Sequence, residues 1–289
     1  MSELVVLSDH SSVHDLHEYM LKTSDGKIKT ATINKSRIAV KLTICILFAL
    51  TAVAFISFDY ESINFIESVA ATWNNMKVLF GQPKLTFNSF AGAMHALLIT
   101  FSLGVLSTIF GALIAFFGAL LCAKNIADPH SANFIKSIVA FIRAVPTILW
   151  VLIFTVAAGL GSVAAVVGLT FHSVAYLIKA YSESIEEMDM GVIEALKASG
   201  ASYWQIVFQA IIPSSISYMI AWTFLRFEIN FTNAIAVGAA AGAGGIGYDL
   251  FMAGSFYFDL RELGFITYIV VIAVIMLEMV ATRIKARVR

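Results

Sequence analysis

Apolar residues run along this chain in blocks longer than the core of a soluble domain requires, and polar residues collect between the blocks. A helix rising 1.5 Å per residue needs roughly 20 apolar residues to cross a hydrocarbon layer of about 30 Å, and it pairs its own backbone groups where no water can. Six blocks meet or approach that length: 42–58, 91–123, 135–157, 163–178, 213–237 and 263–281. The pattern predicts an all-α membrane protein with six transmembrane helices. The second block is long enough to tilt or to extend beyond the lipid, and the fourth is short.

Composition agrees with this reading. The 289 residues are 59% hydrophobic and 13% charged, where a soluble domain carries roughly a quarter charged residues. Net charge is zero, so nothing in the overall balance points to nucleic acid. The distribution of cations sets an orientation. Lys22, Lys27, Lys29, Lys35, Arg37 and Lys41 precede the first block, and Arg283, Lys285, Arg287 and Arg289 follow the last. Basic flanks stay in the cytoplasm, so both termini are expected there, as an even number of spans requires. A seventh span built from the Gly-rich run after Val237 would put the basic tail outside. The first 36 residues contain no short apolar core with a small-residue cleavage site, so no removable signal is expected and the first span is retained. Three regions follow: a cytoplasmic tail, 1–36; the first span and an outward-facing segment, 37–86; and a transmembrane domain, 87–289.

The inward loop between the fourth and fifth blocks breaks the charge trend, with Glu183, Glu186, Glu187, Asp189 and Glu194 against Lys179 and Lys197. Asp189 stands where an N-cap belongs and Gly200 where a left-handed C-terminal cap belongs, which predicts a short helix between them. Ser202 with Gln205 reads as a capping box opening a second helix. Trp204, Val207, Phe208 and Ile211 then give it one apolar stripe, and Pro213 marks the turn into the fifth span. Periodicity fits equally an interfacial connector and a helix that docks in a groove on a cytoplasmic partner.

A resemblance separates these. Glu194-Ala195-Leu196, Gly200 and Ile212-Pro213 have the spacing of the EAA loop in ABC importer permeases, with Leu196 in place of a second alanine and Ile212 in place of leucine. The resemblance implies that Glu194, Ala195, Leu196, Gly200 and Pro213 couple the chain to an ATPase within a loop spanning 189–213. No G-x-x-x-x-G-K-[ST] loop occurs, so the chain is not itself expected to be an enzyme or to hold a cofactor; ATP and magnesium belong on a separate subunit. "FIRAVPTILWVLIF", "LRFEINFTNAIAVG" and "GAGGIG" narrow the match, across 87–285, to the permeases of phosphonate ABC importers. This resemblance implies a type I importer fold in a bacterial inner membrane. It also implies a dimer of ABC ATPases, a second permease copy, an extracytoplasmic phosphonate-type binding protein, and a phosphonate or related phosphorus oxyanion as cargo. The EAA loop alone is shared with amino-acid and glycine-betaine permeases. A secondary transporter would call for inverted repeats with paired broken helices, which are not evident.

Arg226 and Glu228 fall near the middle of the fifth block, where an ionisable group is costly unless paired, hydrated or facing a pathway. Arg226, Asn230 and Asn233 share one face and Glu228 points nearly opposite. Arg226 with Asn230 is expected to line the route of an anion, and Glu228 to be held by a cation such as Arg143. The alternative is that the charges are structural, pairing across helices or subunits. Pro146 is expected to bend or gate the third span. Gly242, Gly244 and Gly247 match G-x-G-x-x-G, yet no strand precedes them. The run, with Gly245, reads instead as close packing or a hinge at the outer face. His10, His14 and His17 share a helical face but read as a solvated tail rather than a metal site. His95 and His172 read as hydrogen-bonded within the bundle.

Overall fold

A computed structural model of the chain describes residues 35–58 and 64–288, the side chains of 284, 285, 287 and 288 excepted. The tail histidines His10, His14 and His17 lie outside the described residues. The chain divides into two units, Met1–Phe65 and Ile66–Arg289. The first contains α1 (Lys35–Ser57), which is apolar all round. Its hydroxyls are satisfied locally. Thr43, Thr51 and Ser57 donate to the carbonyls of Ala39, Leu47 and Val53 at 2.9, 2.8 and 2.7 Å, as a helix in lipid requires.

The second unit runs α2 (Phe65–Gly81), α3 (Phe90–Cys122), α4 (Pro129–Ala144), α5 (Thr147–Ala158), α6 (Ser162–Glu186), α7 (Met190–Ala198), α8 (Tyr203–Ile206), α9 (Ile212–Ala240), α10 (Ile246–Phe251) and α11 (Leu260–Val288). A π-helical turn, Val207–Ile211, joins α8 to α9, and a second, Met252–Phe256, follows α10. All regular structure among the described residues is helical. Among the described residues five helical segments are long and apolar enough to cross a membrane, or six if the bent pair α4 and α5 is one span, against the six apolar blocks.

The bundle is centred on α6, which packs against α3, α4, α5 and α9. Small residues bring the backbones close, the usual device where lipid removes any hydrophobic drive between helices. A Cβ on Gly111 would stand 2.7 Å from the Cβ of Ser173, and one on Gly104 would stand 3.2 Å from the backbone of Phe231. Substitution at either position pushes α3 away from α6 or α9.

Several boundaries differ from expectation. The third span is two helices meeting at 91°. Pro146 lacks the amide proton that would continue α4, and it holds Val145 extended at φ −91°, ψ 126°. The fourth helix runs on to Glu186, well past the apolar block, because its last turns bury Tyr181, Ser182 and Ile185 against protein rather than lipid. The segment between the first two apolar blocks contains α2, which its mixed composition did not announce. Pro213 does not mark a turn: helical structure is continuous from Tyr203 to Ala240. The π turn absorbs the missing donor, with Ile212 N bonding back to Val207 O. That turn also shifts the buried face. Ile206, Val207, Ala210 and Ile211 are buried while Trp204 and Phe208 are exposed, so the expected Trp204/Val207/Phe208/Ile211 stripe is split by the extra residue in the turn.

Candidate functional site

Halfway along the bundle, α3, α6 and α9 enclose a connected set of polar side chains. Arg226 of α9 is 1% exposed and Asn230, one turn on, is fully buried. Asn230 donates its amide to Thr108 Oγ1 of α3 and to Ser173 Oγ of α6, both at 2.9 Å. Arg226 donates from Nε to Ser173 Oγ at 3.0 Å, and its Nη2 lies 3.0 Å from His172 Nδ1. The guanidinium also lies over the ring of Tyr176, 5.1 Å from its centre. Ser173 is placed to receive these bonds because Gly111 lets α3 approach its Cβ closely.

Among the described residues the partners given for Arg226 are neutral. Among the described residues the ion pairs are Lys136–Glu186 and Lys179–Glu183, and Arg226 is in neither. A hydroxyl, an imidazole nitrogen and an aromatic face supply hydrogen bonds and quadrupole attraction but no countercharge. A desolvated cation in that state is a strong attractor for an anion. Arg143, in the last turn of α4, is exposed and stands 6.0 Å over the same Tyr176 ring. The break at Pro146 thus delivers a second cation beside the buried one. A cavity of about 330 Å³ between α3 and α9 adjoins the cluster, with Thr108 and Thr223 in its wall among phenylalanines Phe101, Phe224 and Phe227.

The structure therefore brings Arg226 and Asn230 together on one face and adds Arg143 through Tyr176. Asn233 is half-buried and lies outside these bonds, and Glu228 is half-buried on the other side of α9. Thr108, Ser173 and Tyr176 were not singled out from sequence. Their signal is a polar pair and an aromatic at 172, 173 and 176, one helical face within an apolar span. His172 bonds within the bundle, as expected.

At one end of the bundle, α7 and α8 have the predicted N-terminal caps. Asp189 Oδ1 accepts from Gly191 N at 2.8 Å, and Ser202 N donates to Gln205 Oε1 at 2.7 Å. Gly200 closes the helix at φ +83°, a conformation that glycine adopts without strain. Ile193 is buried in a cluster with Leu177, Ile185, Ile206 and Val207. It anchors α7 while Glu194 and Ala195 are exposed and Leu196 half-buried. The root of α7 is tied to its neighbours by Glu186, one of the acidic residues of this loop. Glu186 Oε1 accepts from Lys136 Nζ of α4 and from Lys124 N after α3, each at 2.8 Å.

At the other end, the glycine run folds into the bundle. Gly161 N donates to Ala241 O at 2.9 Å, and Ile246 N donates to Thr100 Oγ1 at 2.9 Å. Gly245 has φ +77°, and a Cβ on Gly247 would overlap the carbonyl oxygen of Ile235. Gly242 and Gly244 complete the turn, exposed and half-buried. Close packing thus accounts for the two buried glycines. Nearby, Glu262 is 2% exposed and accepts from the backbone amides of Thr86, Phe87 and Asn88 at 3.3, 2.8 and 3.0 Å. Asn88 in turn donates to Asp249 Oδ2 at 2.8 Å. Burial pushes the Asp249 carboxyl above the usual carboxylate range, the Asn88 amide opposes that, and the charge of Glu262 adds to it. Asp259 is pulled down, by the Thr86 hydroxyl first and then by the amides of Glu262 and Arg261.

Comparison with known proteins places this arrangement. The phosphate-import permease protein PhnE of Mycolicibacterium smegmatis is 29% identical over 191 residues, 65% of this chain and 35% of that protein. The phosphite transport system permease protein PtxC of Stutzerimonas stutzeri is 30% identical over 166 residues, 57% of this chain and 60% of that one. The chain thus spans about a third of the first relative and three fifths of the second. Among solved structures, the inward-facing MetNI methionine ABC transporter superposes with a TM-score of 0.61 at 22% identity, covering 68% of this chain and 96% of that one; this likeness speaks for the fold. The family of binding-protein-dependent transport system inner membrane components matches residues 115–289, more than half of the sequence, and the chain belongs to that family.

Proposed function

We propose that the chain is the permease subunit of an ATP-driven importer, and that its cargo is a phosphonate or a related phosphorus oxyanion. The observation that carries the cargo is Arg226, a cation buried at mid-depth with hydrogen-bond partners but, among the described residues, no countercharge. A passing oxyanion supplies what the protein withholds. Relatives named for phosphate and phosphite import support the same class of cargo. The fold alone does not select it, since the similar solved structure is a methionine transporter.

In this reading a dimer of separate ABC ATPases, which hold ATP and magnesium, grips the exposed side of α7 around Glu194, Ala195 and Leu196. A second permease copy completes the pathway, and an extracytoplasmic binding protein delivers the anion. Closure of the ATPases moves α7. The motion passes through Ile193 and the α6 end into the bundle, opening the route to one side and then the other. Such a shift requires contacts that differ between the two states. The Pro146 break and the Gly242, Gly244, Gly245 and Gly247 turn are where the helices are already interrupted, and they serve as hinges. Gly200 sets the angle at which α7 leaves.

The test is uptake by the reconstituted complex with its own ATPase and binding protein, offered labelled methylphosphonate, phosphite, phosphate, methionine and glycine betaine. Import of a phosphorus oxyanion that stops when ATP is withheld supports the proposal. Import of methionine or glycine betaine alone replaces the cargo, and import without the ATPase removes the mechanism. A Gly200→Val complex should hydrolyse ATP yet import poorly, because no atom crowds that Cβ and the change acts through the backbone angle.

A further inference from the structure

Resting on that cargo reading, we infer that His172 is a second ligand for the transported anion, presenting a neutral imidazole N–H beside the Arg226 guanidinium. The contact between Arg226 Nη2 and His172 Nδ1 is 3.0 Å. A guanidinium carries donors only, so the imidazole nitrogen facing it must be the acceptor. The hydrogen bond therefore fixes the tautomer: Nδ1 bare, Nε2 protonated, ring uncharged.

Burial then separates the two edges of the ring. Arg226 is 1% exposed whereas His172 is partly exposed, and Nδ1 is the edge engaged with the buried arginine. The Nε2–H edge has no hydrogen-bond acceptor among the described residues. An N–H donor fixed in tautomer, unpartnered and next to an uncompensated cation, is suited to one oxygen of a tetrahedral oxyanion while the guanidinium takes another. Ser173 is already committed to Arg226, Asn230 and the Leu169 carbonyl. Tyr176 offers its ring face to both Arg226 and Arg143. His172 therefore has a directed donor to spare beside the guanidinium.

Two near-isosteric substitutions separate a ligand from a brace. His172→Asn places an amide oxygen near the Nδ1 position, so Arg226 keeps its acceptor and the distal donor is lost. His172→Gln places an amide N–H near the Nε2 position, so a donor is kept where the anion would meet it. Each full complex is reconstituted with its ATPase and binding protein, and methylphosphonate, phosphite and phosphate serve as probes. Uptake per ATP hydrolysed is measured alongside thermal unfolding of the complex. We expect His172→Asn to melt like the parent and to import about tenfold more slowly or worse, and His172→Gln to stay within about threefold of the parent, the scale of one hydrogen bond to a charged ligand. Active Asn with inactive Gln makes His172 a brace for Arg226 and overturns the inference alone. Two active variants, or two inactive ones beside an active parent, overturn it as well. If the parent imports none of the three probes, the cargo reading falls and this inference falls with it.

Discussion

Arg226 and Glu262 are both almost fully buried, one at mid-depth and one at the end of the bundle, and they are satisfied in opposite ways. Glu262 receives three backbone amides from residues 86–88, which the chain cannot withdraw without unmaking the loop. Arg226 is held by an imidazole, a serine hydroxyl and an aromatic face, all neutral and all on α6. A charge met by several fixed dipoles is content where it is, and it ties distant segments together. A charge met by neutral side chains alone still attracts a countercharge. The first is a clamp; the second is suited to a cargo that comes and goes.

The sharpest way to break that contrast is to remove the cation while keeping its volume. Arg226→Met should cut oxyanion uptake roughly 100-fold or more, since loss of one desolvated charge contact is worth about 2–5 kcal/mol. ATP hydrolysis by the assembled complex and its melting temperature should hold, because replacing an unpaired buried charge with an apolar side chain is often neutral or stabilising. A variant that imports normally removes Arg226 from the pathway. One that unfolds makes it a clamp like Glu262.

The reverse result is expected at the other site. Glu262→Ala removes the acceptor of three part-buried amides, at a cost of about 3 kcal/mol in stability. Yield and thermal stability in detergent should fall clearly, while uptake per folded complex stays within about twofold, far below the cost of a lost pathway charge. Equal losses in stability and in specific uptake would show that the clamp also takes part in transport.

The two charges also differ in how legible they were from the sequence. Arg226 stood out because a cation in an apolar span is conspicuous, and the four-residue spacing to Asn230 showed the shared face. Glu262 stood in a polar stretch just ahead of the last apolar block, where carboxylates are unremarkable. Its partners are backbone amides some 175 residues earlier, and an amide leaves no mark in sequence. The same distinction runs through the fold. Asp189, Gly200 and Ser202 capped their helices as expected, since caps are local chemistry. The face presented by Trp204 and Phe208 was not legible, because the π turn that rotates it is settled by how Val207 and Ile211 pack against α6 and α7. Pro146 announced a break but not its angle of 91°. His172, Ser173 and Tyr176 needed the superposition of α6 on α9 to acquire meaning.

A third charge lies between the extremes. Lys136 and Glu186 form a pair at 2.8 Å with about a third and a quarter of their side chains exposed. If partnered charges are structural, Lys136→Met should lower stability by about 1 kcal/mol, the value of a hydrogen-bonded pair still reached by water. Uptake should change little at moderate temperature. A loss of uptake without a loss of stability would mean that this tie between α4 and the root of α7 transmits motion, and partnership would no longer mark a charge as passive.

The smallest effect is expected at Asp249, and its sign is informative. Its carboxyl titrates above the ordinary value of 3.8, by burial chiefly and by repulsion from Glu262 in addition. A folded-state value above the unfolded one means that the native state prefers the proton. Stability therefore declines as pH rises from the unfolded value through the folded one, and at neutral pH the charge opposes folding. Asp249→Asn removes the charge and keeps an oxygen for the Asn88 amide. Thermal unfolding should place the variant level with the parent or slightly above it at pH 8, and the gap should close as the pH falls below the raised value. A variant that melts lower at every pH would mean that Asn88 requires a charged acceptor. The clamp would then rest on two carboxylates, and the contrast between one well-met anion and one unmet cation would have to be redrawn around that pair.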